Sequence, residues 1–546
     1  MMPRLALSLL VFLAGCSTVP QKGPPPAPPA MTAGELAAGI RAGTLTAEAA
    51  VRTYLERIEA YDRQGPMIQS VLALNPDALA EARVLDAEAR SGTIRGALHG
   101  VPVLVKDNIE TKELPTTAGS LALIGNDTGR DAPIVARLRA EGAIILGKAN
   151  LSEWANFRSQ TSISGWSGVG GQTRNPHSLD RSACGSSSGS GAAVAAQLAP
   201  LAIGTETNGS IICPAAMTGI VGFKPTVGLL SRSRIVPISS TQDTAGPMTR
   251  TVRDAALMLT AMAGSDPADA ATAPADGVKA DYVAALDGGI DGMRIGVLRW
   301  AQGDRPAVSA AFQEALTALE ARGAVLVDIA EYTPPEGLSD DALIVLLTEF
   351  KATLNAYLAE AAPAVTTRTL TDLIAFNEAN AAREMALFDQ SLFTGSEVTG
   401  GYQDPAYVAA RDAILKAARE DGIDRLLAEH DVRVLVMPSR PPAFLIDAVY
   451  GDSYPDGPIG AGWLAAMAGY PILTVPMGAD RGLPIGLGIM GTGWDDATVL
   501  AVGHAYEQAS GKITTPAFVS GPFAMPATAA AMRPHAGDQG SGRTWR

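Results

Sequence analysis

Cys184-Gly185-Ser186-Ser187-Ser188-Gly189-Ser190-Gly191 and Gly204-Thr205-Glu206-Thr207-Asn208-Gly209-Ser210-Ile211 are two serine-bearing loops separated by a short apolar stretch, Ala192 to Ile203. The stretch is too small and too apolar for a surface linker. It predicts a short buried helix, Ala192 to Leu198, followed by a strand, Leu201 to Ile203. Polar loops at the ends of buried elements hold their hydroxyls in fixed directions, as a nucleophile requires.

The same alternation continues on both sides. Upstream, Thr46 predicts the N-cap of a helix reaching Tyr61, with Val51, Tyr54, Leu55 and Ile58 as its apolar stripe. Asn75-Pro76 predicts a second helix start, running to Arg90. Gly100 to Asn108 contains a strand whose Pro102 predicts a sheet edge or a bulge. Further strands are expected at Ala143 to Leu146, Val434 to Met437, Ile472 to Val475 and Ile485 to Ile489. Helices are expected at Ala311 to Arg322 and Ala497 to Ala509. Strands alternating with helices predict an α/β sheet with helices on both faces. Residues 265–290 and 331–430 are less regular and more helical, and are expected to form the walls of a substrate cleft.

The chain has 546 residues, 47% of them apolar and 18% charged, as expected of a large globular body. Its net charge of −14 argues against non-specific binding of nucleic acid. With three cysteines, no CxxC pair and five scattered histidines, no structural metal site is expected.

Residues 1–15 read as an export signal: Arg4, the apolar run Leu5 to Ala14, then Leu13-Ala14-Gly15-Cys16. The run is far shorter than the roughly 20 residues that span a bilayer. The tetrapeptide resembles a lipobox, which makes Cys16 the lipidated first residue of a lipoprotein, and Ser17 resembles the outer-membrane sorting pattern. Residues 16–32 would then be the acylated cysteine and a stiff proline-rich spacer. The expected location is the cell envelope, anchored at the outer membrane and facing the periplasm. The folded domain is expected over 33–517 and a flexible tail over 518–546. The two remaining cysteines, Cys184 and Cys213, could pair in an oxidising compartment; free, buried thiols are the expectation.

Lys106 ends an apolar strand. Burial disfavours an ammonium, and a lysine held neutral acts as a base near pH 7. Such a base needs a hydroxyl, and the two loops supply several. Three readings of the loops compete. A phosphate cradle would require Gly-Lys-Ser/Thr, which does not occur. A nucleophile elbow matches Gly185-Ser186-Ser187-Ser188-Gly189, with Ser187 as the nucleophile of an α/β-hydrolase-like esterase. It must follow a strand and find an acid and a histidine. The preceding residues, Arg174 to Ala183, are polar, and His430 and His504 lie in helical patterns without a supporting motif. A plain turn leaves the second loop unexplained.

The motifs as a set resemble the amidase signature family, over about Met31 to Lys512. They are Gly100-Val-Pro-Val-Leu-Val-Lys106-Asp-Asn, Gly147-Lys-Ala-Asn-Leu-Ser-Glu-Trp154, the two loops, Gly219-Ile-Val-Gly-Phe-Lys-Pro-Thr226, Ala468-Gly-Tyr-Pro-Ile-Leu-Thr-Val-Pro476 and Gly482-Leu-Pro-Ile-Gly-Leu487. The resemblance implies a single α/β domain with a central mixed sheet. It also implies a Ser–cis-Ser–Lys triad, with Ser210 as nucleophile, Ser186 as bridge and Lys106 as base. Thr207, Asn208, Gly209 and Ser210 would form the oxyanion hole, with Ser187, Thr205 and Glu206 in support and no cofactor. Against the commonest family pattern, serine stands at 188 and 190, Glu206 replaces Asp, Asn208 replaces glycine and Ile212 replaces arginine. The stretch Thr205 to Pro214, Ser164-Gly-Trp166, Gly170 to Pro176 and Glu349-Phe-Lys351 are similar to the bacterial peptide amidase branch. The implied reaction is hydrolysis of peptide C-terminal amides, or other small amides, through an acyl-serine. The alternative within the family is one component of a glutamine amidotransferase. Residues 331–430 are expected to select the acyl group, with Phe376, Phe388 and Tyr402 as candidates.

Overall fold

The computed structural model describes residues 31–453 and 459–525. The lipobox, Cys16 and most of the proline-rich spacer lie outside the described residues.

Eleven strands form one sheet: β1 (Val71–Leu74), β2 (Pro102–Lys106), β3 (Ile144–Ala149), β4 (Leu201–Glu206), β5 (Val221–Lys224), β6 (Thr244–Thr249), β7 (Arg294–Leu298), β8 (Val325–Ile329), β9 (Val434–Pro438), β10 (Ile472–Asp480) and β11 (Leu483–Met490). Their spatial order is β1-β3-β2-β4-β6-β5-β10-β11-β9-β7-β8. β2 is parallel to both β3 and β4, and β7 to both β8 and β9; the other pairs are antiparallel. The sheet is therefore mixed.

Alternation along the strands shows that both faces are covered. Val434 and Val436 of β9 enter one apolar cluster with Phe312, Leu316, Val499 and Val502. Their neighbours Leu435 and Met437 enter another with Tyr407, Ile414 and Leu464. Successive residues of a strand point to opposite sides, so each cluster is one face of the sheet under its own helices. The first face carries Pro306–Glu320 and Asp496–Ser510; the second carries Pro405–Ala418 and Gly462–Ala468.

Most expected elements are present with shifted ends. Thr46 caps Ala47–Arg57 by accepting from Ala49 N at 3.1 Å, and a single π-helical turn, Ile58–Arg63, carries the chain past Tyr61. The helix after Asn75-Pro76 begins at Ala78, because Asn75 Oδ1 accepts from Asp77 N (2.9 Å) and forms a turn first. Pro102 opens an interior strand rather than an edge. The register shift expected of a bulge falls between Val103 and Leu104. The helix between the serine loops is Ser188–Ala195, four residues earlier than expected, and β4 continues to Glu206.

The tail does not begin at 518. Phe518 N donates to Pro176 O at 2.9 Å, Leu179 N donates to Val519 O at 2.8 Å, and Met525 is buried against the body.

Candidate active site

Parallel pairing of β2 with β4 decides the site. Val105 lies opposite Ile203, so the carboxyl ends of both strands emerge side by side. One end carries Lys106; the other continues into the loop with Ser210. Clefts in α/β sheets open at such carboxyl ends.

The Ser188–Ala195 helix is wholly buried beside them. A Cβ at Gly189 would overlap the carbonyl oxygens of Ser70 and Asn150, so only glycine allows this approach. Serines at 188 and 190 use their hydroxyls locally: Ser188 Oγ donates to Cys184 O (2.5 Å) and Ser190 Oγ to Ile203 O (2.9 Å). The two serines thus fasten the helix to the first loop and to β4.

Lys106 is fully buried. Its Nζ lies 2.7 Å from Ser186 Oγ, 2.8 Å from Thr205 Oγ1 and 3.2 Å from Thr205 O. Burial pulls its pKa down to about 7, against the opposing pull of the Asp243 and Glu206 carboxylates. The amine is thus half neutral near pH 7 and has a lone pair for the Ser186 hydroxyl. Asn108 Nδ2 donates to Thr205 Oγ1 (2.9 Å) and fixes that hydroxyl. The Gly185–Ser186 peptide bond is cis.

Ser210 is half-buried and is joined to the first loop through its backbone, its carbonyl accepting from Ser187 N at 3.1 Å. Gly209 adopts φ +85°, a conformation that favours glycine. Among the described residues, no protein acceptor takes the N–H groups of Asn208, Gly209 or Ser210. With Thr207, these are the donors that the family resemblance assigns to an oxyanion. Glu206 accepts from Ile211 N (2.7 Å) and Ile212 N (2.9 Å), holding the turn behind Ser210. Thr207 Oγ1 donates to Asp243 Oδ1 (2.5 Å), and Asp243 Oδ2 accepts from Ile238 N and Ser239 N. Nothing in the sequence pointed to Asp243 or Asn108. Asn108 stands in a quoted motif, but its partner, Thr205, is ninety-seven positions away.

Ser187 is a crosslink. Its Oγ donates to Thr205 O (3.0 Å) and accepts from Thr205 N (3.2 Å), and the residue is fully buried. A strand, Ser178–Ser182, does precede the loop, contrary to expectation, but it belongs to a two-stranded ribbon outside the main sheet. His504 sits beside Glu507 and His430 ends a helix, so neither serves Ser187.

Cys184 and Cys213 form a disulfide with Cα atoms 5.9 Å apart, which corrects the expectation of free thiols. The bond ties the residue two before Ser186 to the residue three after Ser210. The sequence separation of 29 concealed a contact that folding the Ser188–Ala195 helix back against β4 creates.

A cavity of about 460 Å³ opens beside Thr205. Asn108, Thr205, Thr207 and Asp243 line its floor, and Thr353, Ala356 and Tyr357 its wall. Both segments expected to wall a cleft contribute, the other through Ala268 and Asp269. Phe376, Phe388 and Tyr402 do not line it. Phe376 packs in an apolar cluster, Phe388 packs edge-on to Trp166 beneath Arg158, and Tyr402 donates to Ser240 Oγ at 3.2 Å. Buried Glu349 instead fastens this wall, accepting from Thr241 N (3.1 Å), Tyr407 Oη (2.8 Å) and Ser239 Oγ.

A family model described as Amidase matches residues 49–500. The native peptide amidase of Stenotrophomonas maltophilia is 48% identical, with a TM-score of 0.84, covering 89% of this chain and 98% of that one. An amidase family protein of Bacillus anthracis is 37% identical, with a TM-score of 0.79, covering 89% and 92%. A glutamyl-tRNA(Gln) amidotransferase chain of Acidothermus cellulolyticus is 38% identical over 500 residues, 88% of this chain and 94% of that protein.

Proposed function

Because the chain belongs to the amidase family and is an amide-hydrolysing enzyme, we propose that it releases ammonia from carboxamides, C-terminal amides of peptides first among them. The buried Lys106 beside Ser186 carries this reading. Neutral Lys106 takes the proton of Ser186, and Ser186 takes that of Ser210. Ser210 attacks the amide carbon, forming an acyl-enzyme. The N–H groups of Thr207 to Ser210 receive the oxyanion, each such donor being worth about 3–4 kcal/mol of barrier. The proton returns along the same relay to the departing nitrogen, and water then releases the acid.

The likeness to a named peptide amidase supports the substrate class. The likeness to amidotransferase chains supports the shared chemistry of amide cleavage. Purified protein is expected to release ammonia from a peptide amide, and Ser210→Ala to abolish release and labelling by a fluorophosphonate. Full activity in Ser210→Ala would reject Ser210 as nucleophile.

The second part of the proposal is export and anchoring through Cys16. A disulfide persists in oxidising compartments, which supports it. Cells expressing the protein are expected to incorporate labelled palmitate into it, and Cys16→Ser to remove the label. Labelling that survives Cys16→Ser would overturn the anchor.

A further inference from the structure

Arg440 is the second residue after β9 and is half-buried. No hydrogen bond or ion pair joins its side chain to any described residue. Several other part-buried arginines are satisfied: Arg130 pairs with Glu110, Arg139 with Asp131 and Arg232 with Asp269, while Arg137 and Arg419 donate to backbone carbonyls. The guanidinium of Arg440 instead rests on the loop that holds Ser210. A Cβ added at Gly209 would overlap Nη2 and stand 3.5 Å from Cζ. A cation thus lies against the residue preceding the proposed nucleophile.

Its backbone is fixed on both sides. Ser439 N donates to Gly486 O (2.8 Å), and Ser439 Oγ is 2.7 Å from Thr474 Oγ1. Pro441 and Pro442 follow and restrict the chain, which then bonds to the first loop's approach through Ser182 N to Phe444 O, 2.9 Å. A part-desolvated guanidinium on a fixed backbone, with no partner among the described residues, is suited to a carboxylate, which it can hold with two parallel hydrogen bonds. The chain as a whole carries −14, so its overall charge repels anions, and an anionic substrate needs a local cation.

We propose that Arg440 is a specificity-determining residue that binds a carboxylate on the acyl side of the substrate, so that acidic amides are preferred. This rests on the amidase reading: when ammonia leaves, the rest of the substrate is acyl group. The class is therefore peptide amides ending in an acidic residue, or monoamides of short dicarboxylic acids.

The test measures kcat and KM for ammonia release from the amides of N-acetyl-glutamate, N-acetyl-norleucine and N-acetyl-lysine. Wild type is expected to favour the glutamate amide over the norleucine amide at least tenfold in kcat/KM, through KM. Arg440→Gln should bring that ratio near one, Arg440→Lys should restore part of it, and Arg440→Glu should favour the lysine amide. A wild-type ratio of one or below overturns the proposal. So does an equal loss on both substrates in Arg440→Gln. Release of ammonia from none of the three amides overturns the amidase reading and this proposal with it. Failure of the charge ranking alone overturns only the role of Arg440.

Discussion

Lys106 shows how burial turns an ordinary side chain into a base. An exposed lysine is almost wholly protonated at neutral pH; in this site the desolvation of the ammonium exceeds the attraction of Asp243 and Glu206, and the pKa falls to about 7. The neutral form is the active one, so kcat/KM should rise with pH through about 7 and level off above it. Lys106→Met should cut kcat by about 10²–10⁴-fold, and its pH profile should lose that limb. A limb that survives in the methionine variant would assign the titration to another group. The end of an apolar strand pointed to Lys106, and the family resemblance carried by contiguous motifs named Ser186 and Ser210. Neither signal named Asp243, Asn108 or Arg440. Their roles come from contacts across 36, 97 and about 230 positions of chain, which no local pattern records.

At the scale of elements, the two serine loops, the helix between them and the turn after them behave as one unit. The helix is made of small residues because Gly189 lies against the backbone of two other segments. Its start is fastened by the Ser188 and Ser190 hydroxyls, and the outer ends of both loops by the Cys184–Cys213 disulfide. Closing a loop of that length restricts the unfolded chain by ~3.5 kcal/mol in the entropic model. Cys184→Ser/Cys213→Ser should therefore unfold at lower denaturant and lose activity, since hydrogen bonds alone then hold the loops of Ser186 and Ser210 together. A double variant matching wild type in both midpoint and kcat would show that the hydrogen bonds alone hold the unit. Element starts were legible where a cap was local, as at Thr46. They were misplaced where a turn came first, as at Asn75, or where the helix was too rich in glycine and serine to show a period.

For the molecule as a whole, eleven strands with helices on both faces place the carboxyl ends of β2 and β4 side by side, and the helix-rich segment 331–430 walls the cavity beside them. The body extends past the boundary that composition suggested. Pro, Gly and Ala made residues from 518 onward look loose, yet Phe518 stacks on Tyr61 with ring centroids 5.2 Å apart, and Met525 fills space beside Gly482. A chain ending at Ala517 should lose at least ~2 kcal/mol of stability from the apolar surface uncovered, read as a lower unfolding midpoint. An unchanged midpoint would return these residues to the tail.

By itself the sequence determined the α/β class, the family and the three residues proposed to carry the chemistry, because apolar periodicity and contiguous motifs are local properties. Strand order, the disulfide, the support of Thr205 and Thr207 by Asn108 and Asp243, and the approach of Arg440 to Gly209 were decided only by the tertiary structure. Those contacts join segments whose neighbourhood exists only once the sheet has paired β2 with β4 and brought β9 round to the same side.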